Sequence, residues 1–331
     1  MKVHLVTASS FYWNIDYLQE FKSIALQDRI GIHQLTEDPA TADIILFIDL
    51  HQQPDDWWMG IVHRHPLVKA YPNKVFVYDE RDNPWYVAPG VYVSLSSAKS
   101  DSKCQRSGCY FTLKNDLIEA ASTQAVTPDL LFSFMGAMSH SVRRKVVNLK
   151  HARAVIEDTS HVSFFASIET DEQRAFMKRQ KERYKEILLR SKFILCPRGM
   201  GTSSFRLFES MAVGRVPVII SDDWVAPQGP EWDSCSVRVA ESQVENIPDI
   251  LEAKENSFEE LSSNARKVWH EWFAADVRFH QVIEACAALQ SAGCSGPRSH
   301  PMMSSGAMNY GGRLLARRMK QQVFLLLSGK K

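Results

Sequence analysis

Residues 193–224 read FILCPRGMGTSSFRLFESMAVGRVPVIISDDW and contain two apolar runs, at 193–196 and 216–220, of the length of buried strands. Between these runs lie a turn rich in glycine and hydroxyl side chains and a helical pattern over 203–213. A strand, a helix and a second strand in this order form the repeating unit of parallel sheets that are covered by helices. The stretch therefore predicts an α/β fold.

The same alternation extends in both directions along the chain. Apolar runs predict further strands, and amphipathic patterns predict helices between them. The predicted strands are at 3–7, 42–50, 74–79, 130–136, 162–165 and 236–240. The predicted helices are at 15–26, in part of 55–70 and ending at Pro66, and at 139–153, 169–190, 245–251 and 257–289.

Small and polar residues interrupt this alternation between positions 94 and 129, which predicts a domain boundary near residue 126. We expect two Rossmann-like domains, at 1–125 and 126–290, whose parallel sheets face each other across a cleft. Residues 291–331 are predicted to be a flexible linker followed by a basic amphipathic tail at 312–331. That tail either lies on an anionic membrane surface or packs back on the protein.

Length and charge limit the classes of protein that fit this sequence. A chain of 331 residues is too long for one compact core, so two domains are the default expectation. A net charge of +1 argues against a strongly basic nucleic-acid-binding protein. No apolar run has the length of a signal-peptide core or a transmembrane helix, which predicts a cytoplasmic protein.

The six cysteines are scattered through the chain, and no pair has the C-x-x-C spacing of zinc or redox sites. We therefore expect a reduced chain in which Cys196, inside an apolar run, is a buried thiol. In an oxidising compartment, pairing of Cys104 with Cys109 is the alternative.

The turn after Cys196 has the composition of an anion-binding site. Arg198 follows the strand at the edge of the sheet where α/β proteins bind ligands. Gly199 and Gly201 permit close backbone approach, and Thr202 or Ser203 can cap a helix whose first N–H groups are free. Glycines, hydroxyls, a helix start and an arginine suit a phosphate or pyrophosphate.

Arg206 and Glu209 lie one turn further along the same predicted helix, three residues apart and on one face. One interpretation is a surface ion pair that contributes about 0–1 kcal/mol to stability. The other places Glu209 on ribose hydroxyls and Arg206 near the phosphates of a nucleotide.

The stretch 196–232 resembles the core block of the exostosin family of glycosyltransferases. In that block a Pro-Arg-Gly turn precedes a Ser-Phe-Arg-Leu-Phe-Glu helix start, an Ala-x-Gly-x-x-Pro-Val-Ile strand and a Ser-Asp-x-Trp-x-x-Pro loop. This chain has CPRG, SFRLFE, AVGRVPVI and SDDWVAP in the same order. Two further patches, VFVYDERDNPWYVAPGVYVS at 75–94 and FMGAMSHSVRRKV at 134–146, are similar to earlier parts of bacterial members.

The resemblance implies a GT-B architecture, a nucleotide-sugar donor (usually a UDP-sugar) bound by the second domain, and transfer that inverts the anomeric centre. It also implies roles for particular residues. The diphosphate would be held at Arg198, Gly199, Thr202, Ser203 and Ser204. Glu209 would bind the ribose, Arg206 would contact a phosphate or support this network, and Gly136 and Arg143 would approach the pyrophosphate.

An inverting displacement needs a base for the acceptor hydroxyl and stabilisation of the departing diphosphate. Carboxylates and a histidine follow two predicted strands of the first domain, in FIDLH and VFVYDERD. Asp79 is the first choice as base, then His51 and Asp82; Asp49 and Glu80 lie in the same loops. For Asp79 and Asp82, capping of their own loop is at least as good an explanation, and for His51 the alternative is a solvated loop histidine.

No Asp-x-Asp motif of the kind that holds a divalent ion occurs in the sequence. A helix N-terminus together with Arg198 can take the place of a metal at the leaving group. We therefore predict metal-independent transfer without a cofactor.

The expected function is glycosyl transfer from a nucleotide-sugar to an oligosaccharide or lipid-linked glycan in surface polysaccharide synthesis, with peripheral contact at the inner face of the membrane. Two alternatives stay open. One is a catalytically inactive partner that binds a nucleotide-sugar, and the other is a nucleotide-sugar epimerase on the same scaffold.

Overall fold

Two parallel β-sheets organise the chain in the computed structural model, which describes residues 1–7, 17–49, 62, 65–84, 86, 88–111, 115–121, 126–162 and 170–296. The first sheet contains β1 (Lys2–Thr7), β2 (Gln34–Leu35), β3 (Ile44–Asp49), β4 (Val75–Asp79), β5 (Gly90–Tyr92) and β6 (Gln105–Ser107). The second contains β7 (Leu130–Gly136), β8 (Ala154–Asp158), β9 (Ser191–Pro197), β10 (Val216–Ile220) and β11 (Val237–Arg238).

Every strand pair in both sheets is parallel, in the orders β2-β1-β3-β4-β5-β6 and β11-β10-β9-β7-β8. The central strands are buried along their whole length, as in VFVYD of β4 and VPVII of β10. Such continuous apolar runs are typical of parallel sheets that helices cover on both faces. The predicted α/β fold with two parallel sheets is confirmed.

Nine α-helices lie in the part of the chain that the structure describes. They are α1 (Tyr17–Leu26), α2 (Pro66–Ala70), α3 (Asp116–Ala121), α4 (Ser141–Val146), α5 (Asp171–Arg190), α6 (Phe205–Ala212), α7 (Ile247–Lys254), α8 (Phe258–Val268) and α9 (Ala275–Ser291). A π-helical turn, Trp269–Phe273, connects α8 to α9. No helix among these residues has both the length and the apolar character to cross a bilayer.

The last helix, α9, returns to the first sheet. Its Phe279 ring lies 6.1 Å from the ring of Phe21 on α1. The backbone N–H of Arg29 donates to the Asp276 carbonyl at 2.8 Å at one end of the helix. Beyond the other end, a disulfide joins Cys294 to Cys104 of the first domain.

This disulfide corrects the expectation of a reduced chain. The sequence offered Cys109 as the neighbour of Cys104, but the return of α9 brings Cys294, 190 positions away, to the same place. Cys109 is a buried free thiol, as is Cys196, which was predicted to be one. The pairing was invisible in the sequence because spacing along the chain does not report distance in space.

Several predicted elements were misplaced. The strand predicted at 162–165 lies instead at Ala154–Asp158, whereas Val162 sits in a turn and residues 163–165 lie outside the described chain. This strand is at the edge of its sheet and only half-buried, so its apolar signal is weak. The helix predicted over 139–153 spans only Ser141–Val146.

In the first domain, a helix begins at Pro66, where the prediction ended one, since proline is well tolerated in a first helical turn. Strands β5 and β6 were missed because each has only three residues. A run of three residues is too short to show an alternation of apolar and polar side chains.

Candidate functional site

The site predicted after Cys196 lies where three strands of the second sheet end. β7 ends at Gly136, β9 at Pro197 and β10 at Ile220, and parallel strands bring these ends to one edge. Residues 198–204 form the loop from β9 to α6. Ser204 is the residue before the first turn of α6, and its side chain makes no capping hydrogen bond.

Arg143, on α4, ties two loops of this edge together. Its guanidinium donates to the carbonyls of Ala137 at 3.0 Å, Arg198 at 3.0 Å and Pro197 at 3.3 Å. Burial, and then the nearby charge of Arg206, lower its pKa to about 9, so the group still carries its charge at neutral pH. A buried guanidinium bonded only to neutral carbonyls leaves a positive charge at the edge without a carboxylate in contact.

Arg206 brings a second guanidinium to the same edge. Its Nε donates to the Met135 carbonyl at 2.8 Å, and its guanidinium carbon lies 5.2 Å from the centre of the Phe134 ring. A Cβ on Gly136 would lie 2.4 Å from an Nη atom of Arg206 and 3.0 Å from the Phe134 ring. Glycine at 136 is therefore what permits the close approach of this arginine to the end of β7.

Arg198 is the third cation, and its side chain is 16% exposed. One Nη lies 3.4 Å from a carboxylate oxygen of Asp223 and 3.9 Å from one of Glu241, while its Nε is buried without a hydrogen-bond partner among the described residues. The buried hydroxyls of Ser203 and Ser204 also make no hydrogen bond of standard geometry within the described chain. The loop thus presents several unsatisfied polar atoms next to three arginines.

The first domain covers this loop. Thr202 donates its hydroxyl to the Leu95 carbonyl at 3.2 Å. The N–H of Gly201 donates to the carboxylate of Asp82, and a Cβ on Gly201 would lie 2.4 Å from the Ser94 hydroxyl. A Cβ on Gly199 would instead lie 3.0 Å from an Nη of Arg143. The carboxyl ends of the two sheets therefore face each other, with the loop between them.

A second link between the sheets lies beside the first. The N–H of Ser97 donates to the Asp223 carbonyl at 2.8 Å, and the N–H of Val225 donates to the Leu95 carbonyl at 3.1 Å. Trp224, between those two positions, is 2% exposed and packs edge-on against Trp232 at 5.3 Å. These contacts fix the loop after β10 to the first domain.

Glu209 lies on α6, one turn beyond Arg206. It accepts a short hydrogen bond from the hydroxyl of Tyr184 on α5, and burial raises its pKa. Its half-buried carboxyl lines a cavity of about 310 Å³ together with Tyr110, Phe205, Phe208, Trp269 and other residues. Glu209 is therefore available to a ligand and is not part of a surface ion pair.

The base candidates of the first domain have different surroundings. Asp79 is fully buried, and Arg81 donates to both of its oxygens at 2.6–3.1 Å. Asp82 is exposed and lies beside Gly201 of the loop at 198–204. Desolvation raises its pKa, and the charge of Arg143 opposes that shift. Glu80 accepts from the N–H of Phe111, while His51 and the side chain of Asp49 lie outside the described residues.

Sequence reasoning missed the part of the site that the first domain contributes. Ser94, Leu95 and Ser96 lie in the polar segment that was set aside as a domain boundary, yet they face the loop after β9 or the loop after β10. Tyr184 was also missed, since it lies in the middle of a long charged helix. No local pattern marks such residues, because their partners lie far away in the sequence.

Comparison with known proteins matches part of the sequence to a family. Residues 119–254, less than half of the chain, match the Exostosin GT47 domain. By sequence, this segment is similar to the exostosin GT47 family. The exostosin GT47 domain includes the whole second sheet, Arg143, the loop at 198–204, Arg206 and Glu209.

Two relatives are similar to part of the chain. Exostosin-1 homolog of Caenorhabditis elegans is 39% identical over 103 residues, which are 30% of this chain and 26% of that protein. The probable glucuronoxylan glucuronosyltransferase IRX7 of Arabidopsis thaliana is 42% identical over 84 residues, 24% of this chain and 19% of that protein. The similarity thus spans about a quarter or less of these relatives' own length.

A solved glycosyltransferase from Rickettsia africae ESF-5 aligns with 87% of this chain and 98% of its own, at 10% identity and a TM-score of 0.40. A likeness at that level carries no argument about this protein. The exostosin GT47 assignment rests on the sequence of the second domain.

Proposed function

We propose that this protein is an inverting glycosyltransferase that moves a sugar from a nucleotide-sugar to a glycan or lipid-linked acceptor. The observation that carries the proposal is the group of three arginines, Arg143, Arg198 and Arg206, at the carboxyl edge of the exostosin GT47 domain. The charge of Arg206 helps to lower the pKa of Arg143, and neither arginine has a carboxylate within ion-pair distance among the described residues. A bound diphosphate would neutralise this charge and stabilise the leaving group.

The donor would lie along the loop at 198–204. Arg198 and the unsatisfied hydroxyls of Ser203 and Ser204 would donate to phosphate oxygens. Gly199 and Thr202 would shape the loop, and Arg143 and Gly136 would position its two sides. The carboxylate of Glu209, held by Tyr184, would accept from the ribose hydroxyls.

For the base, the surroundings favour Asp82 over Asp79. A general base must reach the acceptor hydroxyl, and both oxygens of Asp79 are already held by Arg81 in the interior. Asp82 is exposed beside the donor loop, and its raised pKa makes it a stronger proton acceptor than an ordinary aspartate. His51 stays an untested candidate.

Metal-independent transfer without a cofactor also stays a prediction. The guanidinium groups and the start of α6 supply the positive charge that a divalent ion would otherwise supply. EDTA should leave turnover unchanged under conditions in which the protein stays folded. Loss of turnover that Mg²⁺ or Mn²⁺ restores would contradict this part of the proposal.

The acceptor and the location are less constrained. The basic tail at 312–331 lies outside the described residues, and we retain it as a peripheral membrane contact. Truncation after residue 296 should abolish binding to vesicles that contain anionic lipid, and unchanged binding would remove the tail from the proposal.

The cytoplasmic prediction is untested, and the Cys104–Cys294 disulfide favours an oxidising compartment instead.

The deciding experiment measures donor binding and transfer together. Thermal shift with UDP-glucuronate, UDP-N-acetylglucosamine, UDP-glucose and GDP-mannose should show stabilisation by one class of donor. Arg198→Ala should lower the affinity of the protein for that donor about tenfold or more, because a hydrogen bond to a charged group contributes about 1.5–3 kcal/mol. Arg190→Ala, which removes an exposed arginine paired with Asp129, is the matched control and should bind normally.

The alternatives give different results in the same experiment. Donor binding without transfer to any of a panel of glycan acceptors would favour an inactive binding partner. Conversion of the donor sugar in the absence of acceptor would favour an epimerase. Stabilisation by no nucleotide-sugar at all would overturn the proposal.

A further inference from the structure

A cluster of two histidines and a glutamate lies where α9 meets the edge of the first sheet. His33 directly precedes β2, the edge strand, and its side chain is only 2% exposed. His280 and Glu284 are four residues apart on α9 and so project from one face of that helix. His33 Nε2 lies 3.0 Å from a carboxylate oxygen of Glu284, and the two imidazole rings stack with centres 5.2 Å apart.

One ring nitrogen of each histidine in this cluster has no hydrogen-bond partner among the described residues. His33 Nε2 and His280 Nδ1 are both buried, and neither makes a hydrogen bond of standard geometry with the described residues. The contact of His33 with Glu284 is close, but its angles do not meet that standard. An oxygen of Asp28, whose charge acts on His33, is also buried without a partner within the described chain. Buried polar atoms rarely stay unpaired, so such a group indicates a ligand site.

The two ring nitrogens of His33 face different groups. The amine of Met1 lies 3.2 Å from Nδ1 of the same ring. Nε2 lies on the side of Glu284, and it can ligate an ion when Nδ1 carries the ring proton and donates it to the amine.

We propose that His33, His280 and Glu284 bind a zinc ion that fixes α9 to the edge of the first sheet. One ligand atom from each residue lies within 4.8 Å of the other two, which is close enough for a shared ion after small side-chain adjustments. Two imidazoles and a carboxylate are a preferred donor set of Zn²⁺, with a water in the fourth position of the tetrahedron. None of the three residues belongs to the donor loop, so this site is independent of the proposed transfer reaction.

The position of the ion suggests what it does. α9 is already attached near its start by the backbone bond between Arg29 and Asp276, and beyond its end by the Cys104–Cys294 disulfide. The histidine–glutamate cluster lies between these two attachments. A zinc ion there would hold the middle of the helix against the first domain.

The test uses the full-length chain, stripped of metal and then titrated with Zn²⁺, and separately with Co²⁺ as a spectroscopic probe. We expect one equivalent to bind, a rise in Tm, and the visible absorption of tetrahedral Co²⁺. His280→Ala and Glu284→Gln should each weaken binding about 100-fold or more, since loss of an outer partner alone costs about 10- to 100-fold.

Controls match each substitution. His270→Ala and Glu271→Gln alter exposed residues of the π-helical turn and should leave the affinity unchanged. Glu284 is half-exposed, so Glu284→Gln is expected to fold even if a histidine variant does not. Binding of Zn²⁺ that is as tight in Glu284→Gln and His280→Ala as in the wild type, or no stoichiometric binding to the wild type, would overturn the proposal.

Discussion

At the scale of single residues, two aspartates three positions apart illustrate how burial separates structure from chemistry. Asp79 is the last residue of β4 and Asp82 follows it, and nothing in the sequence beyond this order distinguishes the two as bases. Asp79 is buried, and both of its carboxylate oxygens accept hydrogen bonds from Arg81. Asp82 lies beside the loop at 198–204. Their variants should therefore fail in different ways.

Asp79→Asn should lower the free energy of unfolding by about 3 kcal/mol, because it removes the negative charge that the nearly buried guanidinium of Arg81 contacts at 2.6 Å. Asp129→Asn is the matched control, since its ion pair with Arg190 is exposed and is expected to contribute about 0–1 kcal/mol. Urea denaturation measures both. A loss at Asp79 no larger than that at Asp129 would show that the buried pair has little structural role.

Asp82→Asn should instead keep the stability and lower kcat about 100-fold or more, the usual contribution of a general base. The pH profile of kcat/KM gives a sharper readout. A base must be deprotonated, so the rate should fall as the pH drops through the raised pKa of Asp82, which lies above the ordinary value of 3.8. This acidic limb should disappear in Asp82→Asn and persist in Glu37→Gln, which alters an exposed carboxylate. The same limb in both variants would assign the base to another residue.

At the scale of elements, the loop between β9 and α6 depends on glycine at 201. A Cβ there would lie 2.4 Å from the Ser94 hydroxyl and 2.9 Å from the Cα of Asp82, both in the first domain. Gly201→Ala should therefore push the loop away from the first domain. We expect a loss of about 1–3 kcal/mol of stability together with reduced transfer.

Gly31→Ala is the control for Gly201→Ala. It distinguishes the steric clash at position 201 from the general effect of replacing a glycine. Gly31 has φ +68, and a Cβ added there would meet no atom within 4 Å, so only the backbone conformation costs energy, about 1 kcal/mol. Its transfer rate should equal that of the wild type. If both variants lose transfer to the same extent, the contact at Gly201 is not what matters.

The elements themselves were predictable to different degrees. The unit from β9 through α6 to β10 was predicted to within two residues, because its strands are buried on both faces and its helix has a clear apolar side. Strand β8, half-exposed at a sheet edge, was placed eight residues too late in the chain. Periodicity reports burial, so it fails for elements that are short or only partly covered.

At the scale of the whole molecule, the disulfide between Cys104 and Cys294 connects the end of α9 to the first domain across 190 positions. Reduction should lower the stability of the oxidised wild type by about 2–4 kcal/mol, because the cross-link restricts the unfolded chain. The measurement is Tm and urea denaturation with and without dithiothreitol.

A double variant, Cys104→Ser with Cys294→Ser, provides the control. Its stability should equal that of the reduced wild type and should not respond to dithiothreitol. A wild type that is equally stable with and without reductant would mean that the cross-link does not form or does not constrain the chain.

The sequence by itself determined the α/β class, the two sheets and the chemistry of the loop after Cys196, since these depend on burial patterns and on residue types that are neighbours in the chain. Only the tertiary structure decided four things. They are which residues contact that loop, which aspartate is not held by an arginine, which cysteines pair, and that His33 stacks on His280. Each of these depends on two segments that are distant in sequence and brought together by packing. Local sequence patterns do not predict such contacts, because the free energy that selects them comes from burial of apolar surface over the whole chain.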